Sequence, residues 1–546
     1  MPTPPIEPNK SVYPETQFVF GGGDSGNPTC FRRDQIIVGE DLERVANALK
    51  SVDATYDVKP AEHFEGNEQM QTAARAQVVQ TLGERADRKE IERRVLEELP
   101  KLLQPLTNGR LPGGYRIVNI ENVGVVEAVR VLTDAGIFAQ PNYVYFATET
   151  GFSGGVHANP NFYGNPNFYG NPNFYGNPNF YGNSSLYGNP NFYGNPNFYG
   201  NPNFYGNPSL HSNPNFYGNA ARYGQVGPFF NGDCCCPGAP GEDPHQLVPR
   251  ASAVPVTARA PIGPTIEGVG GGNATPEVRV IVCDTDRVNE GANPIAPLSE
   301  DSNGDGYLDP AFGHGTFIRS IVGRMIGDER VESVAVLDPM GACNDAVFVF
   351  RLELMYQIYR LIDKFVTPQN PPQTVLSLSL GMYTDDDKPS RPLAKVIKKL
   401  QDGGWLIVAS AGNDASCRLY WPAALPGVIA VGAVGPAGPA WFTNYGAWVD
   451  CCAPGVDIVS AYPNLGAAPV MKVDADEFDT QFGTGWARWS GTSFSAPAVA
   501  AAIARYAKLL PDTVVAEKRL GRAIDDLIND PVLLRIAGLG TVVNVA

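Results

Sequence analysis

Gly491-Thr-Ser-Phe-Ser-Ala-Pro-Ala-Val-Ala-Ala-Ala-Ile-Ala504 sets a serine directly after Gly-Thr and then runs into small apolar residues. The alanines at 496, 498, 500, 501 and 502 predict a buried helix packed close to its neighbours, with Ser493 in its first turn. There the unpaired N–H groups and the positive end of the helix dipole face outward. Gly491 lets the backbone come near another group. Two readings stand at this point: a nucleophile held rigidly at a helix mouth, or the N-cap serine of a tight alanine helix.

A serine hydroxyl needs a base, most often an imidazole oriented by a carboxylate. Of the five histidines, His63, His157, His211, His245 and His314, only His314 lies beyond residue 245. It stands in Gly313-His-Gly-Thr-Phe-Ile-Arg-Ser-Ile-Val-Gly323, a run that predicts a second helix starting at the histidine. Upstream, Val278-Arg-Val-Ile-Val-Cys283 is an apolar β-branched stretch that predicts a buried parallel strand ending in Asp284-Thr285-Asp286. Carboxylates at such strand ends line the crevice of open α/β sheets. Trp405-Leu-Ile-Val-Ala-Ser410 predicts another buried strand leading into Ala411-Gly412-Asn413. The Asn413 amide and the Ser493 N–H are candidate donors for an oxyanion.

These four segments resemble the subtilisin-like serine peptidases. Asp284 matches the family's aspartate, His314 the histidine of Gly-His-Gly-Thr, Asn413 the asparagine of Ala-Gly-Asn, and Ser493 the serine of Gly-Thr-Ser-Phe-Ser-Ala-Pro, at spacings of 30, 99 and 80 residues. Leu376-Ser-Leu-Ser-Leu-Gly381, Trp421-Pro-Ala-Ala-Leu-Pro-Gly-Val-Ile-Ala-Val-Gly-Ala433 and Phe442-Thr-Asn-Tyr-Gly446 with Ala453-Pro-Gly455 extend the likeness over about residues 270–546. The resemblance implies an α/β peptidase domain with a mainly parallel sheet. It implies a serine endopeptidase in which Ser493 attacks a peptide carbonyl, His314 moves the proton and Asp284 orients His314. Asn413 joins the oxyanion hole, and the substrate is a polypeptide held extended along Ser379, Leu380, Gly381, Ser410, Ala411 and Gly412. Four positions depart from the family pattern: Asp286 two residues past the aspartate, Phe317 after the histidine motif, and the pair Arg319-Ser320.

The 546 residues suit two or three domains, and a 43% hydrophobic content suffices for a core. A net charge of -16 argues against nucleic acid or an anionic membrane as the principal partner. No apolar run is long enough to span a bilayer. The first residues carry neither a basic start nor an apolar core, which points to the cytoplasm or to leaderless secretion. Nine cysteines, with Cys234-Cys235-Cys236 and Cys451-Cys452 contiguous, do not form a tidy disulfide framework. Cys283, Cys451 and Cys452 are expected to be small core residues.

The composition divides the chain into a flexible lead-in (1–30), a small α+β module (31–150), a linker (151–272) and the peptidase-like domain (273–546). In the module, Gln35–Val38, Tyr115–Ile120 and Tyr143–Phe146 predict strands, and Glu40–Ser51 and Val123–Ala135 predict helices. Glu68–Leu103 predicts a long charged helical stretch, an insertion whose mixed charges form a solvated face. Ala139-Gln-Pro-Asn-Tyr-Val-Tyr145 resembles the end of a subtilisin propeptide, which implies an inhibitory domain whose Tyr143–Gly151 lies in the active-site cleft as an added strand beside Ser379–Gly381.

Between 159 and 218 a hexad repeats ten times, eight of them Asn-Pro-Asn-Phe-Tyr-Gly. Turn residues and exposed aromatic pairs predict a spacer or a segment that self-associates. Asp301-Ser-Asn-Gly-Asp-Gly-Tyr-Leu-Asp309 alternates oxygen ligands (Asp301, Asn303, Asp305, Asp309) around Gly306, the start of a calcium loop, although Phe312 stands where a bidentate glutamate belongs. No organic cofactor is expected. Two rival functions remain: a catalytically inactive fold serving as a binding scaffold, and an assembly protein driven by the hexads.

Overall fold

The computed structural model describes residues 18–22, 28–61, 74–75, 77–79, 81–83, 87–103, 110–147, 254–255, 278–285, 311–338, 341–436, 438–463, 485–511 and 513–545. The hexads, most of the linker, the candidate calcium loop, Asp286 and Cys234–Cys236 lie outside them.

The N-terminal part is built on β1 (Phe18–Gly22), β2 (Pro28–Val38), β3 (Asp57–Pro60), β4 (Arg116–Glu121) and β5 (Ala139–Ala147), with helices α1 (Leu42–Lys50), α2 (Arg88–Leu103) and α3 (Val125–Asp134). β2 is central and pairs antiparallel with β1, β4 and β5. β1 and the start of β2 fall inside the stretch expected to be a flexible lead-in. The high Pro and Gly content masked Phe-Val-Phe at 18–20, whose β-prone residues add a strand to the edge of the module. Asp41 caps α1 by accepting the Arg44 N–H at 2.9 Å.

The second part is a parallel sheet. β7 (Val278–Asp284) pairs with β8 (Val331–Ala335) and β10 (Gln373–Leu378), and the order continues through β12 (Leu406–Ser410), β13 (Val428–Gly435), β15 (Cys451–Pro454) and β19 (Gly540–Val542), all parallel. β18 (Arg535–Ile536) closes one edge antiparallel, and β14 (Gly438–Pro439) pairs with β13. β6 (Val254–Pro255) pairs with β17 (Trp486–Trp489), which also pairs with β16 (Ile458–Ala461), so two linker residues join a small sheet. The short β9 (Ala342–Asn344) and β11 (Leu380–Gly381) both pair with β5 and thereby tie the two parts together.

Strand alternation sorts the core. Val280, Val282, Val375, Val408 and Val431 face α4 (His314–Ile326) and α7 (Thr492–Leu509). Ile281, Leu376, Ile407 and Ala430 face α5 (Asp345–Val366) and α6 (Arg391–Asp402). With helices on both faces these strands must be apolar on both sides, which is why they read as continuous hydrophobic runs. The alanines of α7 are buried and keep its axis close to the sheet, while the short α8 (Arg519–Ile524) packs behind it.

The charged stretch has the solvated face expected of it, and an apolar face besides. Arg93 does pair with Glu90 and Glu97 on the outer face of α2. Ile91, Val95 and Leu99, spaced by four residues, pack instead on Phe350, Leu354, Ile358 and Leu361 of α5. Cys283, Cys451 and Cys452 are buried, as expected of small core residues, and the six described cysteines are unbridged. Among the described residues no helix is long and apolar enough to cross a membrane, and no metal-binding cluster occurs.

Candidate active site

β7 delivers Asp284 to its C-terminal end, where the carboxylate is 1% exposed. Its Oδ1 accepts the Thr285 N–H at 2.8 Å and lies 2.7 Å from His314 Nδ1. His314 is the first residue of α4, preceded by Gly313 at φ 76°. The close fit depends on Gly315: a Cβ there would stand 2.3 Å from the Thr285 carbonyl oxygen, while its N–H donates to Thr285 Oγ1 at 2.9 Å. The imidazole is walled by Trp489 at 5.3 Å and Phe494 at 5.5 Å between ring centroids.

Phe494 directly follows Ser493, so the same ring that packs on His314 anchors the first turn of α7. Ser493 is the second residue of that helix and is fully buried. Its Oγ donates to the Ser379 carbonyl at 3.3 Å, and Ser379 Oγ donates to the Ser493 carbonyl at 2.8 Å. Pro497 has no N–H to give that carbonyl within the helix, and the Ser379 hydroxyl takes its place.

Asn413 is held from the same helix. Its Oδ1 accepts the Thr492 N–H at 2.9 Å and the Thr492 hydroxyl at 2.8 Å. Nδ2 is therefore the end of the amide turned away from Thr492. Asn444 clamps the loop that carries Asn413: its Nδ2 donates to the Ala411 carbonyl and to Tyr383 Oη, each at 2.8 Å. Its Oδ1 accepts the N–H groups of Asp414 and Ser416, each at 3.0 Å.

The two stretches expected to hold a peptide differ. Leu380 and Gly381 offer a strand edge, already paired with Ala147 and Phe146 of β5. Gly381 is required there because a Cβ would meet the Tyr420 ring at 2.1 Å. Ala411 and Gly412 engage their backbone groups internally, with Val431, Asn444 and Thr492 as partners. Ser410 sits within β12, paired to Val431.

Thr492, Asn444, Trp489 and Phe494 were not singled out in the sequence as site residues. Thr492 and Phe494 flank the serine and were legible as neighbours. Asn444 and Trp489 carry no local signal, since their roles depend on packing across the sheet. The candidate metal residues Asp301, Asn303, Asp305 and Asp309 lie outside the described residues.

A parallel α/β sheet that sets a carboxylate–imidazole pair and a helix-borne serine around one packed centre has the parts of a serine hydrolase. Residues 343–538 match the model of the subtilase family (Peptidase_S8). The match contains Asn413 and Ser493 and begins after Asp284 and His314.

Among similar proteins, a thermophilic serine proteinase of Bacillus sp. (strain AK1) is 36% identical over 141 residues, 26% of this chain and 29% of its own. Subtilisin BL of Lederbergia lenta is 28% identical over 212 residues, 39% of this chain and 65% of its own. An extracellular basic protease of Dichelobacter nodosus is 35% identical over 140 residues, 25% of this chain and 21% of its own. The chain thus spans less than two thirds of each of these relatives. A mutant of the protease domain of PatA aligns with a TM-score of 0.36 at 21% identity, covering 50% of this chain and 95% of that one.

Proposed function

We propose that this chain is a serine endopeptidase restrained by its own N-terminal part. Ser493 attacks a peptide carbonyl, His314 takes its proton and returns it to the leaving amine, and Asp284 holds the imidazole in the competent tautomer. Asn413 Nδ2 and the Ser493 N–H receive the oxyanion. The observation that carries the reading is the 2.7 Å contact between Asp284 and His314, walled by the same Phe494 that follows Ser493. The restraint rests on β5, which lies between β9 and β11 where an extended peptide would add as a strand.

Intact mass of the full chain beside Ser493→Ala, with fluorophosphonate labelling of both, tests this. Expected are a label on Ser493 and self-cleavage C-terminal to residue 147, both absent in the variant. An unlabelled wild type that stays intact would leave a binding scaffold as the better account.

A further inference from the structure

We infer that the pocket filled by Tyr145 is a tyrosine-selective subsite of the peptide groove, with Asp345 as the residue that sets the selectivity; this rests on the peptidase reading above. β5 is bracketed by two strand edges: Val144, Tyr145 and Phe146 pair with Asn344, Cys343 and Ala342 of β9, and Phe146 and Ala147 pair with Gly381 and Leu380 of β11. Main-chain pairing of this kind holds any extended peptide and carries little sequence information. Discrimination must come from side-chain pockets.

Tyr145 is completely buried. Its ring packs 4.6 Å from Phe348, tilted by 50°, and its hydroxyl donates to Asp345 Oδ1 at 2.8 Å. Asp345 is itself fully buried, at the first position of α5, where the helix dipole favours a carboxylate. Its other oxygen accepts Ser390 Oγ at 2.6 Å and Gln140 Nε2 at 3.1 Å. Burial pushes this carboxyl up to about 6, against the hydrogen bonds from Ser390, Tyr145 and Gln140 that hold it down.

Phe348, Asp345 and Ser390 all belong to the peptidase-like part, so a substrate laid in place of β5 meets the same walls. Phenylalanine would fill the ring slot and leave Asp345 Oδ1 buried with no donor among the described residues, whereas tyrosine satisfies it. Sites built around a substrate hydroxyl reject the analogue lacking it for that reason. The register fixes the position. Leu380 is opposite Ala147, and the preceding Ser379 exchanges hydrogen bonds with Ser493. A peptide in the register of β5 therefore presents the residue three beyond the Tyr145 position to Ser493. The substrate class is a polypeptide with tyrosine as the fourth residue on the N-terminal side of the cleaved bond.

The test uses quenched fluorescent peptides that differ only at that residue, given to the full-length chain and to its Asp345→Leu and Asp345→Asn variants. Tyrosine should exceed phenylalanine by about 10- to 100-fold in kcat/KM for the wild type. Asp345→Leu should reverse the order, and the isosteric Asp345→Asn, which guards against a misfolded leucine variant, should cut the ratio at least about threefold. Equal cleavage of both peptides by a protein whose Ser493 takes a fluorophosphonate label overturns the subsite and leaves the peptidase reading standing. An unlabelled protein overturns the peptidase reading instead.

Where no peptide is cut, the pocket is judged within the chain, by hydrogen exchange of β5 in full-length Ser493→Ala carrying Tyr145→Phe, Asp345→Asn or both. Coupled effects support selective recognition of the phenol, and additive effects overturn it.

Discussion

Ser379 and Ser493 exchange hydrogen bonds in both directions: each side-chain hydroxyl donates to the other residue's main-chain carbonyl, at 2.8 Å from Ser379 and 3.3 Å from Ser493. The exchange couples the segment just ahead of β11 to the first turn of α7. It exists because Pro497 leaves the Ser493 carbonyl without a helical donor. Ser379→Ala should therefore cost about 1–3 kcal/mol of stability and slow fluorophosphonate labelling. The same substitution in a Pro497→Ala background should cost less, because an alanine in place of the proline restores a helical N–H. Thermal unfolding of the four proteins measures the coupling, and equal costs in both backgrounds would contradict it.

Asp345 predicts a pH dependence. Its carboxyl is raised from an ordinary 3.8 to about 6, chiefly by desolvation, so the folded state binds the proton more tightly than the unfolded one. A carboxyl whose folded value is raised contributes stability below its ordinary value and loses it as pH climbs toward the folded value. The fold's stability should therefore fall between about pH 4 and pH 6, by on the order of 3 kcal/mol, and level off above. The neighbouring partners Tyr145, Gln140 and Ser390 are neutral over this range. Hydrogen exchange of β5 at pH 4 and pH 7 should show the loss in the wild type and a flatter response in Asp345→Asn.

Asp284→Asn keeps the shape of the buried pair and removes the charge that orients His314. Turnover should fall by about 10⁴-fold, the scale typical of serine triads, while the melting temperature changes little. A variant that retains more than a tenth of wild-type turnover would remove Asp284 from the mechanism.

Asn444→Asp replaces two donors, to Ala411 and Tyr383, with a carboxylate close to Asp414, whose N–H the side chain already receives. A stability loss of about 2–4 kcal/mol is expected. Because Asn444 acts on the loop that positions Asn413, kcat should drop more than KM rises. An unchanged kcat in the folded fraction would make Asn444 purely structural.

The candidate residues were legible because each sits at a local landmark. Asp284 ends an apolar strand run, and His314 and Ser493 open helices marked by glycine on the N-terminal side. Asn413 follows a buried strand by three residues. The stretch at 18–20 and the inner face of α2 were not legible, since flanking Pro and Gly in one case and dense charge in the other outweighed a few apolar residues.

By itself, the amino-acid sequence determined the order and type of the main elements and nominated the four candidate groups, because strand alternation, helix starts and glycine positions are written over short stretches. Only the tertiary structure decided that Tyr145 meets Asp345 across 200 residues, that Asn444 clamps the Asn413 loop, and that α2 lies on α5. Those contacts follow from sheet order and strand register, which join segments whose separation along the chain carries no trace of their distance in space.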